Sequence, residues 1–209
     1  IVGMDASGLE ARMLAHYMND KEYTNEILHG DIHSANQLAT GVKTRDQAKT
    51  FYYAFLYGAG DAKIGAIIGG TARDGKELKE KFLRNTPSLR RLRERVSMAS
   101  GRGYVLGLDR RRVYVRSEHS ALNTLLQSAG AIVMKKALAL LDEYATKWKL
   151  NYHFVGNIHD EIQTEVEQEK TEVFGRLACS CIEAAGLHFN LNCPLEGEYK
   201  VGNSWAETH

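Results

Sequence analysis

The sequence has 209 residues, of which 44% are apolar and only two are proline, which is typical of a folded globular protein and excludes a disordered or collagen-like one. Its net charge of +1 hides a segregation of charge. Residues 43–116 hold 18 Lys or Arg against 7 Asp or Glu, and the rest of the chain is net acidic. Such a basic block is typical of a protein that binds a polyanion, although a solvated charged surface would give the same counts.

The three cysteines are too few and too clustered for a disulfide framework, so we expect reduced thiols in an intracellular, cytoplasmic protein. No apolar run approaches the roughly 20 residues that span a bilayer, and we predict no membrane partner. The chain opens inside the strand-like run IVGMDA, without an initiator Met or a signal peptide. We therefore expect it to be the C-terminal part of a longer or split protein.

The first half of the chain predicts one strand followed by helices. The predicted elements are a strand over 1–6, a helix beginning at Ser7, a turn over 30–33 before a short helix that ends at Leu38, a long aromatic and mostly helical segment over 45–68, and charged helices over 76–82 and 89–98.

The second half predicts most of the strands. We expect two strands over 104–106 and 113–115 around the basic turn 109–112, a long helix over 121–149, a strand–turn–strand over 152–166, a helix over 171–185 and a last strand over 196–201. Strands near the chain ends with helices between them predict an α+β fold, in which a basic helical insertion projects from a small antiparallel sheet with flanking helices.

Two acidic positions stand out because they lie at predicted strand ends. Asp5 ends the first strand, and Asp160 and Glu161 lie at the tip of the hairpin. Carboxylates at neighbouring strand ends could together hold two divalent metal ions for phosphoryl transfer. Taken singly, each is better explained as an ordinary turn aspartate at a strand end.

A basic and aromatic stripe follows in the long helical segment. Arg45, Lys49, Tyr53 and Tyr57 are spaced four residues apart and are followed by Gly58, which places them along one side of a helix. Two cations followed by two tyrosines suit a triphosphate at one end and a stacked base at the other. A mixed helix with snorkelling cations is the structural alternative.

Three ordered segments carry a family resemblance. DASGLEARMLAH resembles motif A, RDQAKTFYYAFLYGAG resembles motif B, and HDE at 159–161 resembles motif C of the family A (DNA polymerase I type) DNA polymerases. GDIH, NTLLQSAGA and the terminal GNSWAETH also resemble the phage replicative branch of that family. Their order and coverage of nearly the whole chain make the resemblance specific.

The resemblance implies the palm and fingers of a right-hand polymerase: a first palm part with motif A over 1–42, basic fingers over 43–116 that end in a hairpin near the palm, and a second palm part with motif C over 117–209. It implies primer–template DNA and dNTPs as partners. The thumb and an exonuclease segment would lie upstream, on the same or a separate chain, and a processivity factor is a further expected partner.

The resemblance also implies a role for individual residues. Asp5, Asp160 and the backbone carbonyl of Ala6 would bind two Mg²⁺ ions. Glu161 would lie beside Asp160 without binding an ion itself. Arg45 and His33 would contact the β- and γ-phosphates of the nucleotide, and Lys49 would contact the α-side phosphates and donate a proton to pyrophosphate. Tyr53 would stack on the nucleotide. Glu10 would crowd a ribose 2′-hydroxyl.

Template and primer contacts are implied for four further residues. Tyr57 would lie at the templating position, Asn123 and Gln127 would reach minor-groove acceptors, and His159 would touch the primer end. Local alternatives remain for several sites: a capping box from Ser7 to Glu10, a turn histidine at position 33, and helix-surface amides at 123 and 127.

The function predicted is template-directed DNA synthesis, in which a dNTP is joined to a primer 3′-hydroxyl. A catalytically silent nucleic-acid-binding fragment is one alternative, which the intact acids at 5 and 160, with Lys49 and Arg45, disfavour. A related single-subunit RNA polymerase is another, and Glu10 disfavours it because a ribonucleotide enzyme should leave room for the 2′-hydroxyl.

Overall fold

The computed structural model describes residues 1–209, and these form two compact units. One unit combines Ile1–Met13 with Ser128–His209, and the other comprises Leu14–Gln127. The first will be called the sheet unit and the second the helical unit. The predicted division into palm and fingers at residues 42 and 116 stays a prediction.

The sheet unit is built on a four-stranded antiparallel sheet. Its elements are β1 (Val2–Ala6), the start of α1 (Leu9–Met18), most of α8 (Ala121–Lys147), β4 (Tyr152–Ile158), β5 (Glu161–Val166), α9 (Thr171–His188), β6 (Gly197–Val201) and α10 (Trp205–Thr208). The strand order is β4-β5-β1-β6, so the first strand of the chain lies inside the sheet. Helix α9 packs on β1 and β6, and buries Phe174 and Ile182.

The helical unit holds the remaining elements: α2 (Lys21–His29), α3 (Ile32–Thr40), α4 (Arg45–Leu56), α5 (Asp61–Ile67), α6 (Ala72–Asn85), α7 (Pro87–Ser100) and a small hairpin of β2 (Tyr104–Leu106) and β3 (Arg112–Tyr114). Its core is aromatic. The ring of Phe82 meets those of Phe51 and Phe55 edge-on, with centroids 5.2 and 5.3 Å apart. These contacts join α4 to α6 and fix the side of α4 that faces the interior.

The α+β fold class is confirmed, with two differences in the helical unit. The sequence did not predict α2, a helix of nine residues of which none is buried. Asp20 caps it by accepting hydrogen bonds from the backbone N–H groups of Glu22 and Tyr23. The segment 45–68 is two helices. The chain turns at Gly58, whose φ of +74° favours glycine and where a Cβ would lie 2.8 Å from the carbonyl oxygen of His119.

Helix α8, with the short turn before it, is long and apolar enough to cross a bilayer by length and composition alone. Of the most apolar 18-residue stretch of this helix, 44% is buried inside the protein. Core helices of soluble proteins can have the same length and composition. Val133, Ala137 and Leu141 recur every four residues and are fully buried. The three cysteines are unpaired, as predicted.

Candidate active site

Four carboxylates lie close together at one end of the sheet. Because β1 lies between β5 and β6, Asp5 is in register with Glu161 on one side and Glu198 on the other. Asp160 immediately precedes Glu161, at the turn between β4 and β5. The antiparallel pairing therefore brings residues 5 and 160 to one end of the sheet, where they line a cavity of about 300 Å³.

The carboxylates perturb one another. Partial burial, followed by the charge of Asp160, raises the pKa of Asp5 to about 6. Burial also raises the pKa of Asp160, and the charges of Glu10 and Glu161 add to the effect. Clustered negative charge of this kind is favourable only when protons or cations balance it.

The pKa of Glu161 shifts in the opposite direction because both of its carboxylate oxygens have hydrogen-bond partners. Its Oε1 accepts from Trp205 Nε1 at 2.8 Å and from Gln163 Nε2, and its Oε2 lies 2.7 Å from His209 Nδ1. Burial acts to raise the pKa of Glu161, but these hydrogen bonds outweigh it and lower the pKa. Thr208 extends the network by donating to Gln163 Oε1 at 2.8 Å. The C-terminal residues thus hold the glutamate beside Asp160.

Arg12 fixes the turn between β1 and α1. Its side chain is almost fully buried, and it donates to the carbonyl oxygens of Ser7 and Pro194 and to the carboxylate of Glu196. The Ser7 hydroxyl donates to Glu198 Oε1 at 2.5 Å. These bonds tie the backbone directly after Asp5 and Ala6 to the last strand of the sheet.

The helical unit carries the cationic side chains. Thr44 caps α4, so Arg45 lies in its first turn, with Lys49 and Tyr53 one and two turns further along. The Arg45 guanidinium pairs with Asp31, its Nε 2.6 Å from Oδ2 and its Nη2 3.0 Å from Oδ1. Arg45 holds the pKa of Asp31 far below its usual range.

His33 lies next to this stripe. Its ring centroid is 5.8 Å from that of Tyr53, and its Nδ1 is buried without a hydrogen-bond partner. Burial lowers the pKa of His33, and the charges of Arg45 and Lys49 lower it further. The structure therefore brings His33, Arg45, Lys49 and Tyr53 together in one neighbourhood.

The predicted template and primer residues lie on several different elements. Tyr57 is the C-cap residue of α4, directly after Leu56, and its backbone N–H donates to the carbonyl oxygen of Tyr53 at 2.9 Å, so it lies at the end of the helical stripe; it is 51% exposed. Asn123 and Gln127 are half-buried and one turn apart in α8. His159 occupies the hairpin turn with a φ of +57° and is exposed.

The DNA polymerase family A model matches residues 1–207. This chain belongs to DNA polymerase family A. It is 45% identical to the DNA-directed DNA polymerases of Enterobacteria phage T3 and Escherichia phage T7, over 99% of this chain and 33% of each relative. It is 28% identical to DNA polymerase I of Geobacillus stearothermophilus, over 99% of this chain and 26% of the relative.

The fold is similar to that of the POL domain of Pol1 from M. smegmatis, solved in complex with DNA primer-template and dNTP. The TM-score is 0.86 at 23% identity, and the match covers 99% of this chain and 40% of that one. This family A chain thus spans about a third of the length of its phage relatives.

Membership in family A implies a dependence on divalent cations, and the donors in the sheet unit fit one. No group of three or more His, Cys, Asp or Glu side chains is arranged to hold a metal ion. Mg²⁺, however, is commonly bound by one or two carboxylates together with substrate phosphates and water. The mutually repelling pair of Asp5 and Asp160 supplies hard oxygen donors of that kind.

Several residues around the candidate site were not predicted from the sequence of this family A chain. Asp31, Arg12, Glu198 and the C-terminal Trp205 and His209 all contact predicted site residues or the backbone next to them. Asp31 and the two C-terminal residues lie in GDIH and GNSWAETH, segments that carry the family resemblance, so position in a family motif is the signal that could have found them. Arg12 lies in DASGLEARMLAH and carries the same signal, whereas Glu198 lies outside these segments and offers none.

Proposed function

We propose that this chain is the catalytic part of a template-directed DNA polymerase that transfers a nucleotide from a dNTP to a primer 3′-hydroxyl. The observation that carries the proposal is the shared cavity of Asp5 and Asp160 at the ends of paired strands in a family A chain. Asp5, Asp160 and the carbonyl of Ala6 would hold two Mg²⁺ ions. When bound, these ions would lower the pKa of the primer hydroxyl and balance the charge of the leaving pyrophosphate.

The nucleotide is proposed to bind along α4. Arg45 and His33 would contact the β- and γ-phosphates, and Lys49 would contact the α-side phosphates and donate a proton to pyrophosphate. The position of the His33 ring, 5.8 Å from that of Tyr53 and within electrostatic range of Arg45 and Lys49, supports a shared ligand here. Tyr53 would stack on the nucleotide, and Glu10 would crowd a ribose 2′-hydroxyl.

Template and primer are proposed to contact Tyr57, Asn123, Gln127 and His159, with Glu161 keeping Asp160 in place. The region 43–116 would serve as fingers and the remainder as palm. A thumb, an exonuclease segment and a processivity factor would be supplied by other sequence on the same or a separate chain. We place the protein in the cytoplasm of a bacterial cell, as its phage and bacterial relatives suggest.

The test is primer extension with Mg²⁺, by the chain alone and with an added thumb-bearing segment. Asp160→Asn keeps the side-chain volume and removes the charge, so extension should fall at least a hundredfold. The matched control is Glu165→Gln, an exposed acid further along β5 that loses the same charge. Near-normal extension by Asp160→Asn would contradict the metal assignment, as would an equal loss in the control.

A further inference from the structure

Asp31 is held in place by its own helix. It is the N-cap residue of α3, where its Oδ1 accepts from the backbone N–H of His33 at 3.0 Å and its Oδ2 accepts from the hydroxyl of Ser34 at 2.7 Å. An N-cap carboxylate satisfies otherwise unpaired helix donors, which keeps it in one orientation. Asp31 is therefore a fixed anion at the start of the helix that carries His33.

Arg45 meets this fixed carboxylate with only one edge of its guanidinium. The two bonds to Asp31 use Nε and Nη2. A guanidinium has five N–H donors in a planar fork, so the edge formed by Nη1 and the second Nη2 hydrogen remains available. The Arg45 side chain is 50% exposed, which leaves this edge open to solvent.

We propose that Asp31 is a positioning residue, which clamps the side edge of Arg45 so that the end edge is presented to a nucleotide phosphate. The inference rests on the proposed nucleotide site. Phosphate would add to the Asp31–Arg45 pair and would not displace the carboxylate, because α3 holds Asp31 independently of Arg45. Orienting the fork in advance reduces the entropy lost on binding.

The pair should have little effect on folding. Both side chains are substantially exposed, at 50% and 40%, and exposed ion pairs contribute little to stability. The effect of Asp31 should therefore be seen in phosphate affinity. The direction of the change in affinity distinguishes two explanations. Simple electrostatics predicts that removing a negative charge beside an anion site strengthens anion binding, whereas loss of the Asp31 clamp weakens it.

The test compares Asp31→Asn with Asp46→Asn. Asparagine is as good an N-cap as aspartate and can still accept from His33, but it lacks the second acceptor oxygen that Arg45 uses. Asp46 is an exposed acid in the first turn of α4, and its replacement makes the same change in net charge next to Arg45. Isothermal titration calorimetry with sodium tripolyphosphate and with a dNTP gives the affinities of the 209-residue chain.

We expect Asp31→Asn to weaken both ligands by about 3- to 10-fold, and Asp46→Asn to leave affinity unchanged or slightly stronger. In an Arg45→Ala background, Asp31→Asn should have no further effect, and the melting temperatures of the single variants should match that of the wild type. Asp31→Ser, which keeps the cap but is too short to reach Arg45, should repeat the Asp31→Asn result.

The inference is overturned if Asp31→Asn binds as tightly as the wild type or more tightly while Arg45→Ala binds weakly; the proposed nucleotide site then stands. It is also overturned if Asp31→Asn weakens binding equally with and without Arg45, since that marks a general effect on α3. If Arg45→Ala leaves both affinities unchanged, or if the wild type does not bind tripolyphosphate, the proposed site fails and the inference falls with it.

Discussion

Replacing Arg12 by alanine would remove a buried cation from the turn that follows Asp5. Its Nε lies 2.8 Å from the Ser7 carbonyl oxygen, its Nη1 2.6 Å from that of Pro194 and its Nη2 2.9 Å from a Glu196 carboxylate oxygen. Each partly buried carbonyl left without a donor costs about 1–2 kcal/mol, and the exposed Glu196 adds little. We therefore expect Arg12→Ala to lower the free energy of unfolding by about 2–4 kcal/mol, a large share of the roughly 5–15 kcal/mol of a typical domain.

Urea unfolding followed by far-ultraviolet circular dichroism measures this loss. Arg12→Lys should recover only part of it, because one ammonium cannot reach three acceptors in the plane of a guanidinium. The matched control is Arg176→Ala, an exposed arginine of the same unit, for which we expect a change within about 0.5 kcal/mol. A loss below about 1 kcal/mol for Arg12→Ala, or the same loss in the control, would refute the reasoning.

Three further predictions concern substrate choice and DNA binding. Glu10→Ala should admit ribonucleotides more readily in single-nucleotide incorporation, whereas a mere helix cap would lose about 0.5–2 kcal/mol of stability and leave selectivity unchanged. Tyr53→Phe should slow dideoxynucleotide incorporation by roughly 5- to 150-fold and change the incorporation of normal nucleotides little. The reason is that the Tyr53 hydroxyl supplies the hydrogen bond that a dideoxynucleotide, which lacks a 3′-hydroxyl, cannot make. Equal effects on both substrates would remove Tyr53 from the site. The basic block over 43–116 should make DNA affinity fall steeply with salt through counterion release, and a fluorescence anisotropy titration showing no salt dependence would contradict it.

The sequence predicted that Asp5 and Asp160 lie near strand ends that could meet. In the structure Asp5 is the second-last residue of β1 and Asp160 directly precedes β5, and the antiparallel pairing of these strands brings both to one cavity. The spacing of Arg45, Lys49 and Tyr53 likewise predicted one side of α4, because helical geometry is local. The family resemblance supplied what local geometry could not, namely the roles expected of individual residues.

Other features could not be predicted because their causes are distant in sequence or absent from the apolar pattern. The Arg12 side chain reaches Pro194, and His209 reaches Glu161, through contacts that only the folded sheet creates. The end of α4 at Leu56 depends on Gly58, whose left-handed backbone conformation is accompanied by close packing against the carbonyl of His119. A glycine in a helical pattern does not by itself reveal that constraint.

The position of β1 inside the sheet has a consequence for how the protein folds. Both neighbours of β1 in the sheet, β5 and β6, follow the whole segment Leu14–Gln127 in sequence. Closing so large a loop is entropically unfavourable and slow, whereas the helical unit forms through contacts that are mostly near in sequence. During synthesis on the ribosome, Val2 and Met4, which the folded sheet buries, therefore emerge well before the two strands that pair with β1, and an apolar strand that lacks its partners is prone to misassembly.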